Sequence, residues 1–185
     1  MAERRRRSAP RRPPVSGRRT PPSERARRGL GFYGYVVRDV MSQPVISVRP
    51  EASLEAAASL MSTHGVSGLP VLDRRPRLVG VLSQKDVVRV LHERAGLSLP
   101  GGIFDLILDS TKARRSDLPR ECRTILENTR VRYAMSSRPI TVHANVSLDE
   151  AIRLLIEHKI NRLPVMENGS LVGIVSRHDL LSGFL

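Results

Sequence analysis

Apolar residues in this chain fall into short β-branched runs separated by helical stripes, and the order of runs and stripes occurs twice. In the first pass, Gln43-Pro44 breaks the chain and Val45-Ile46-Ser47-Val48 predicts a brief strand. Arg49-Pro50 is a turn, and Ser53 is placed to cap a helix. In that helix Leu54, Ala57, Ala58 and Met61 recur at i, i+3, i+4 and i+7, with an end near Gly65. Gly68-Leu69-Pro70-Val71-Leu72 predicts a strand, Asp73 to Arg77 a hairpin turn, and Leu78 to Leu82 the partner strand. The unbroken apolar run of that partner suggests burial on both faces. Ser83 then starts a helix with Val87, Val88, Val90 and Leu91 on its apolar side.

The second pass repeats the first element for element. Met41 corresponds to Met135, Ser53-Leu54 to Ser147-Leu148, and Leu69-Pro70-Val71 to Leu163-Pro164-Val165, all 94 residues apart. Gly80 corresponds to Gly173 at 93, so the second hairpin turn is one residue shorter. Ser147-Leu148-Asp149-Glu150 reads as a capping box, and Leu148, Ala151, Ile152 and Leu155 form the stripe behind it. Each copy is therefore β-α-β-β-α with a short lead-in, Val36 to Met41 in the first. A repeat of this length outranks every other signal in deciding the fold.

Charge changes the picture at one end only. Residues 1–30 hold eleven Arg and two Glu, so they carry +9 of the net +13 and leave +4 to the other 155 residues. This Arg-, Pro- and Ser-rich tail has too little apolar surface to offset its ordering entropy and is expected to be disordered. Its candidate roles are a solvated extension or misplaced start, contact with nucleic acid or anionic lipid, and a transit peptide. Between the copies, residues 92–130 form an insertion. There Ile103-Phe104-Asp105-Leu106-Ile107-Leu108 is apolar, and Leu118 to Leu126, including Cys122, fits a short helix.

Candidate catalytic chemistry is sparse. Cys122 is the sole cysteine, which fits a reducing compartment, and the five His lack zinc-type spacing. No apolar run reaches the roughly 20 residues needed to span a bilayer. There is no phosphate-cradling glycine loop and no nucleophile-base pairing. A non-enzymatic, cytoplasmic protein without a metal is expected.

The repeat resembles the cystathionine β-synthase (CBS) domain, and two in tandem resemble the Bateman module found in stand-alone CBS-pair proteins. The likeness rests on the lead-ins ending in Met41 and Met135, the Leu-Pro-Val strands, and the Gly-Val-Leu-Ser-x-x-Asp and Gly-Ile-Val-Ser-x-x-Asp ends. It covers residues 36–91 and 131–185, and it implies an α+β fold with the repeats packed about a pseudo-twofold axis. It further implies two clefts binding AMP, ADP, ATP or S-adenosylmethionine as a regulatory ligand.

By that resemblance the favoured cleft takes ribose and phosphate on Asp179, Ser176, Arg162, Asn161, His178 and Ile174. Its adenine lies on Pro44, Val45, Ile46, Val66, Ser67 and Gly68, where Gly68 permits close approach. The second cleft has Asp86, Ser83, Lys85 and Val81, with Pro139, Ile140, Thr141 and Ile160 flanking the base. Beside this stands a plainer reading, in which each Ser-x-x-Asp pair only caps its helix. The expected function is a nucleotide sensor acting on a separate effector protein. The alternatives are a ligand-independent homodimeric interaction module, for which Leu180, Leu181, Phe184 and Leu185 would suit an interface or, equally, a core, and nucleic-acid association through the tail.

Overall fold

A computed structural model describes residues 34–96 and 119–182. The expected disordered tail, the apolar stretch 103–108, and Phe184 and Leu185 lie outside these residues. The elements, in chain order, are α1 (Val37–Val40), α2 (Leu54–His64), β1 (Gly68–Leu72), β2 (Leu78–Ser83), α3 (Gln84–Ala95), α4 (Arg120–Asn128), a 3-10 turn (Val131–Tyr133), β3 (Val142–His143), α5 (Leu148–Glu157), β4 (Arg162–Glu167), β5 (Ser170–Ser176) and α6 (Arg177–Ser182).

Each repeat builds its own sheet around its Leu-Pro-Val strand. In the first, β1 pairs antiparallel with β2, Gly68 opposite Ser83; in the second, β3-β4-β5 has β4 at its centre, with Arg162 opposite Ser176. Both hairpins shift register at the same place, between Val71 and Leu72 and between Val165 and Met166. The missing residue of the second hairpin is explained by its turn. Asn168 and Gly169 both have positive φ, 49° and 76°, which closes the hairpin in two residues. In the first, Asp73 Oδ1 accepts from the Arg75 and Arg77 amides across a longer turn.

The helical stripes face their sheets as their spacing predicts. Leu54, Ala57, Ala58 and Met61 are buried in the first core, and Leu148, Ala151 and Leu155 in the second. Three local expectations change. The strand over Val45 to Val48 reduces to a single parallel bridge between Val48 and Val71, because only that residue reaches alongside β1. The doubly buried strand is β1, whose Gly68 to Val71 are all buried, whereas β2 alternates. At α5, Ser147 caps the Glu150 amide, but the Glu150 carboxylate pairs with Arg153 at 2.6 Å and does not return to the cap.

The lead-ins are exchanged, which the repeat pattern does not reveal. α1 packs on the second repeat: Val37 N donates to Val146 O (2.9 Å), Arg38 N to Ala144 O (2.8 Å), and Ser42 bridges Ile174 on β5. The second lead-in packs on the first repeat through the equivalent groups. Val131 N donates to Ala52 O (2.9 Å), Arg132 N to Pro50 O (3.1 Å), and Ser136 bridges Val81 on β2. Val37 and Val131, both at 0% exposure, are the apolar pegs, each closing the core of the repeat it did not precede. The Met41 sulfur lies against Gly173 and the Met135 sulfur against Gly80, so each lead-in reaches a strand where no side chain stands in the way. α4 adds Cys122 and Leu126 to the first core. Burial, and secondarily Glu121, pushes the Cys122 thiol above its ordinary pKa, so it sits as a neutral apolar group.

The exchange makes Gly80 a sensitive position. A Cβ there would stand 2.6 Å from Met135 Sδ and 2.8 Å from the Ser136 carbonyl, so Gly80→Ala must push the second lead-in off β2. Overpacking of this kind costs about 1–3 kcal/mol. A melting temperature equal to that of the wild type would show that the lead-in contact contributes nothing.

Candidate functional site

The strand-to-helix junctions that end the two hairpins are built alike. At the first, β2 ends in Ser83 and α3 begins. Asp86 Oδ2 accepts from Ser83 N (2.8 Å) and Ser83 Oγ, while Asp86 N donates back to Ser83 Oγ (3.3 Å). At the second, Asp179 Oδ2 accepts from Ser176 N (2.8 Å) and Ser176 Oγ (2.6 Å), and Asp179 N donates to Ser176 Oγ (3.3 Å). Both pairs are thus closed capping boxes. A second tie holds each junction to the strand before it: Gln84 N donates to Ser67 O (3.1 Å) and Arg177 N to Asn161 O (3.0 Å). The result brings Ser67-Gly68 beside Ser83 and Asn161-Arg162 beside Ser176.

Each carboxylate keeps its second oxygen, and here the junctions differ. Asp179 Oδ1 accepts from Ser42 Oγ at 3.3 Å, a group delivered by the exchanged lead-in. Asp86 Oδ1 instead faces the Arg89 guanidinium at 3.7 Å, and Arg89 also donates to Ala134 O in the other lead-in (3.0 Å). Neither Ser42 nor Arg89 was marked by the sequence. Ser42 requires the exchange to be known, and Arg89 looks like any solvated helix arginine.

Arg162 is the principal departure from expectation. Its backbone lies in register with Ser176, but its side chain crosses to the first repeat, donates to Ser67 Oγ, and lies over Gly68 in the space a Cβ would fill. Gly68 thus admits this guanidinium, where a ligand was expected to approach. The crossing is one-way, because the residue equivalent to Arg162 in the first repeat is Gly68 itself and has nothing to send back. The Arg162 Nη1 group is buried without a hydrogen-bond partner. Burial draws the Arg162 pKa below its ordinary value, and the nearby charge that opposes this is Asp86. The cation expected at Ser176 and Asp179 therefore stands on the Ser83 and Asp86 side.

The remaining candidates frame these groups. Val81 and Ile174 occupy matching positions on β2 and β5, each paired to a lead-in serine. Val45, Ile46 and Val66 on one side, and Pro139, Ile140 and Ile160 on the other, are half-buried; Pro44, Ser67 and Thr141 are exposed. Lys85, Asn161 and His178 also lie on the surface, and no hydrogen bond ties their side chains into either junction. Among the described residues no group of His, Cys, Asp and Glu could hold a metal ion, and no helix is long and apolar enough to cross a membrane.

Comparison with known proteins gives the same two units. The profile of the CBS domain matches residues 37–93 and 130–185. The Bacillus subtilis CBS domain-containing protein YhcV is 30% identical over 144 residues, 78% of this chain and 81% of that protein. The chloroplastic CBS domain-containing protein CBSX2 of Arabidopsis thaliana is 33% identical over 155 residues, 82% of this chain and 64% of that protein. A crystal structure of CBSX2 in complex with AMP superposes with a TM-score of 0.58 at 29% identity, covering 80% of this chain and 95% of that one.

A half-buried guanidinium without a counter-ion among the described residues is a cost to the ligand-free protein. Arg162→Met keeps the stem and removes the charge, so its melting temperature without ligand should equal or exceed that of the wild type. A structural ion-pair arginine behaves in the opposite way, and a loss above about 3 kcal/mol, typical of breaking a buried pair, would mean that Arg162 has a charged partner in the resting state.

Proposed function

The chain belongs to the CBS-domain family, and on that premise we propose that it is a regulatory module rather than an enzyme. It binds an adenosine-containing ligand, AMP, ADP, ATP or S-adenosylmethionine, between its repeats and passes the result to a separate partner protein. The observation that carries this reading is the pair of junctions, in which Ser83 with Asp86 and Ser176 with Asp179 hold a carboxylate at the end of a strand where the other repeat's lead-in arrives. The AMP complex of CBSX2, a relative of the same fold, supports it.

In this reading a ribose would present its hydroxyls to the aspartate, displacing Ser42 or Arg89 from Oδ1 while the capping bonds on Oδ2 remain. The half-buried aliphatic residues of the opposite repeat, Val45, Ile46 and Val66 or Pro139, Ile140 and Ile160, would cover the base. A ligand held by both repeats favours the arrangement that brings them together, and that differential affinity is the signal.

The closed capping boxes favour a second reading, in which the pairs serve only the helices and the module is a ligand-independent dimeric scaffold. Thermal unfolding of the full chain separates the two. AMP at about 100 times its dissociation constant should add roughly 2.7 kcal/mol. Asp86→Asn and Asp179→Asn should each lower the ligand-free transition by a cap's worth, about 1 kcal/mol. At least one of them should also lose the AMP shift measured against its own baseline. If no adenosine derivative moves the wild-type transition, the scaffold reading stands.

A further inference from the structure

The two repeats differ most in charge at the end where their hairpins turn. In the first repeat that end is made by residues 49–55, 73–77 and 130–133, which hold six Arg against three acidic residues. The equivalent segments of the second, 143–149, 167–170 and 36–39, hold one Arg against three acidic residues. One construction is thus basic in one copy and acidic in the other. We propose that the basic end is a docking surface for single-stranded nucleic acid, with Arg74, Arg75 and Arg130 on phosphates and Tyr133 on a base. The surface belongs to the folded repeat and is separate from the arginines of residues 1–30. It also lies away from Ser83 and Asp86, because Gly68 stands opposite Ser83 at the other end of the same hairpin.

Backbone and side-chain bonds gather these segments onto one surface. Arg49 Nη1 donates to the Leu72 carbonyl (3.3 Å) and to the Asp73 carbonyl, which ties the turn after Val48 to the hairpin. Arg132 N donates to Pro50 O (3.1 Å) and its guanidinium meets Glu51 at 3.0 Å, which ties the second lead-in to the same turn. Arg130 bridges Ser53. The arginines then divide into two kinds. Arg49, Arg77 and Arg132 are committed to carbonyls, to Asp73 and to Glu51. Arg74, Arg75 and Arg130 are exposed, and no hydrogen bond or ion pair to a described residue holds their guanidinium groups. The turn that presents Arg74 and Arg75 is itself fixed. Asp73 Oδ1 accepts from the Arg75 and Arg77 amides (2.9 and 3.0 Å), and Oδ2 takes the Arg77 side chain at 2.6 Å. A fixed turn lowers the ordering cost of docking.

Tyr133 decides which polyanion fits. It is 70% exposed, in the 3-10 turn beside Arg132, where the second repeat's end has Asp39. Planar guanidinium groups suit phosphate oxygens, and an exposed ring among them suits an unstacked base. An acidic protein or a duplex with stacked bases would leave the ring unused.

Fluorescence anisotropy of the full chain with a labelled oligodeoxythymidine of about 20 nucleotides, over a series of salt concentrations, tests the assignment. Replacing Arg74, Arg75 and Arg130 together by Ala should flatten the slope of log K against log salt by about 2, the change for three single-strand phosphates. The melting temperature should stay that of the wild type, because these side chains hold nothing in place. Tyr133→Ala should weaken binding about tenfold with the slope unchanged, and Tyr133→Phe should restore it. A triple variant that binds like the wild type would put the contact in residues 1–30 and overturn the proposal, as would absence of binding. Equal affinity for a duplex or for anionic lipid vesicles, with Tyr133→Ala without effect, would overturn it as well.

Discussion

Neither sheet of this protein is finished by its own repeat. The outer strand of each takes a backbone bridge from the segment that precedes the other, Ser42 on Ile174 and Ser136 on Val81, and Val37 and Val131 fill the cores so exposed. The valines are fully buried and the bridging amides and carbonyls are paired, and such groups are costly to leave unmatched. Each repeat is therefore incomplete when separated from the other's lead-in. The arrangement fixes how the two repeats face one another, and the junctions that close on Asp86 and Asp179 inherit their surroundings from it.

Once the frame is symmetric, differences between the copies acquire meaning. Ser83 and Ser176, Asp86 and Asp179, Val81 and Ile174 are the same groups in the same hydrogen bonds. Gly68 and Arg162 occupy equivalent places and could hardly differ more. Because one is only backbone, the other can cross the interface and set its charge down in the wrong repeat. A symmetric scaffold thereby carries two unlike junctions, one of them facing a half-buried guanidinium whose Nη1 has no acceptor.

The fold was readable because its signals are local and doubled. The stripe from Leu54 to Met61, the Leu-Pro-Val strands and the Ser-x-x-Asp ends each follow from nearby residue spacing, and each has a second copy to check it. The exchange of lead-ins was not readable. Val36 to Met41 reads as a helical turn whichever repeat it covers, and hydrogen bonds such as Val37 to Val146 leave no mark on side-chain identity. The direction of Arg162 was hidden for a related reason. Its neighbours in sequence place it beside Ser176, but its long side chain answers to the vacancy at Gly68, a residue 94 positions away that belongs to the other repeat.

The central claim is that an adenosine ligand bridges the repeats, with its ribose on Asp86 or Asp179. A crystal structure of the full chain with AMP tests it most directly. The account predicts density at one junction or both, with ribose hydroxyls on the aspartate Oδ1 and the adenine against the half-buried aliphatic residues of the opposite repeat. AMP absent from both junctions, with Ser42 still on Asp179 and Arg89 still facing Asp86, would contradict it.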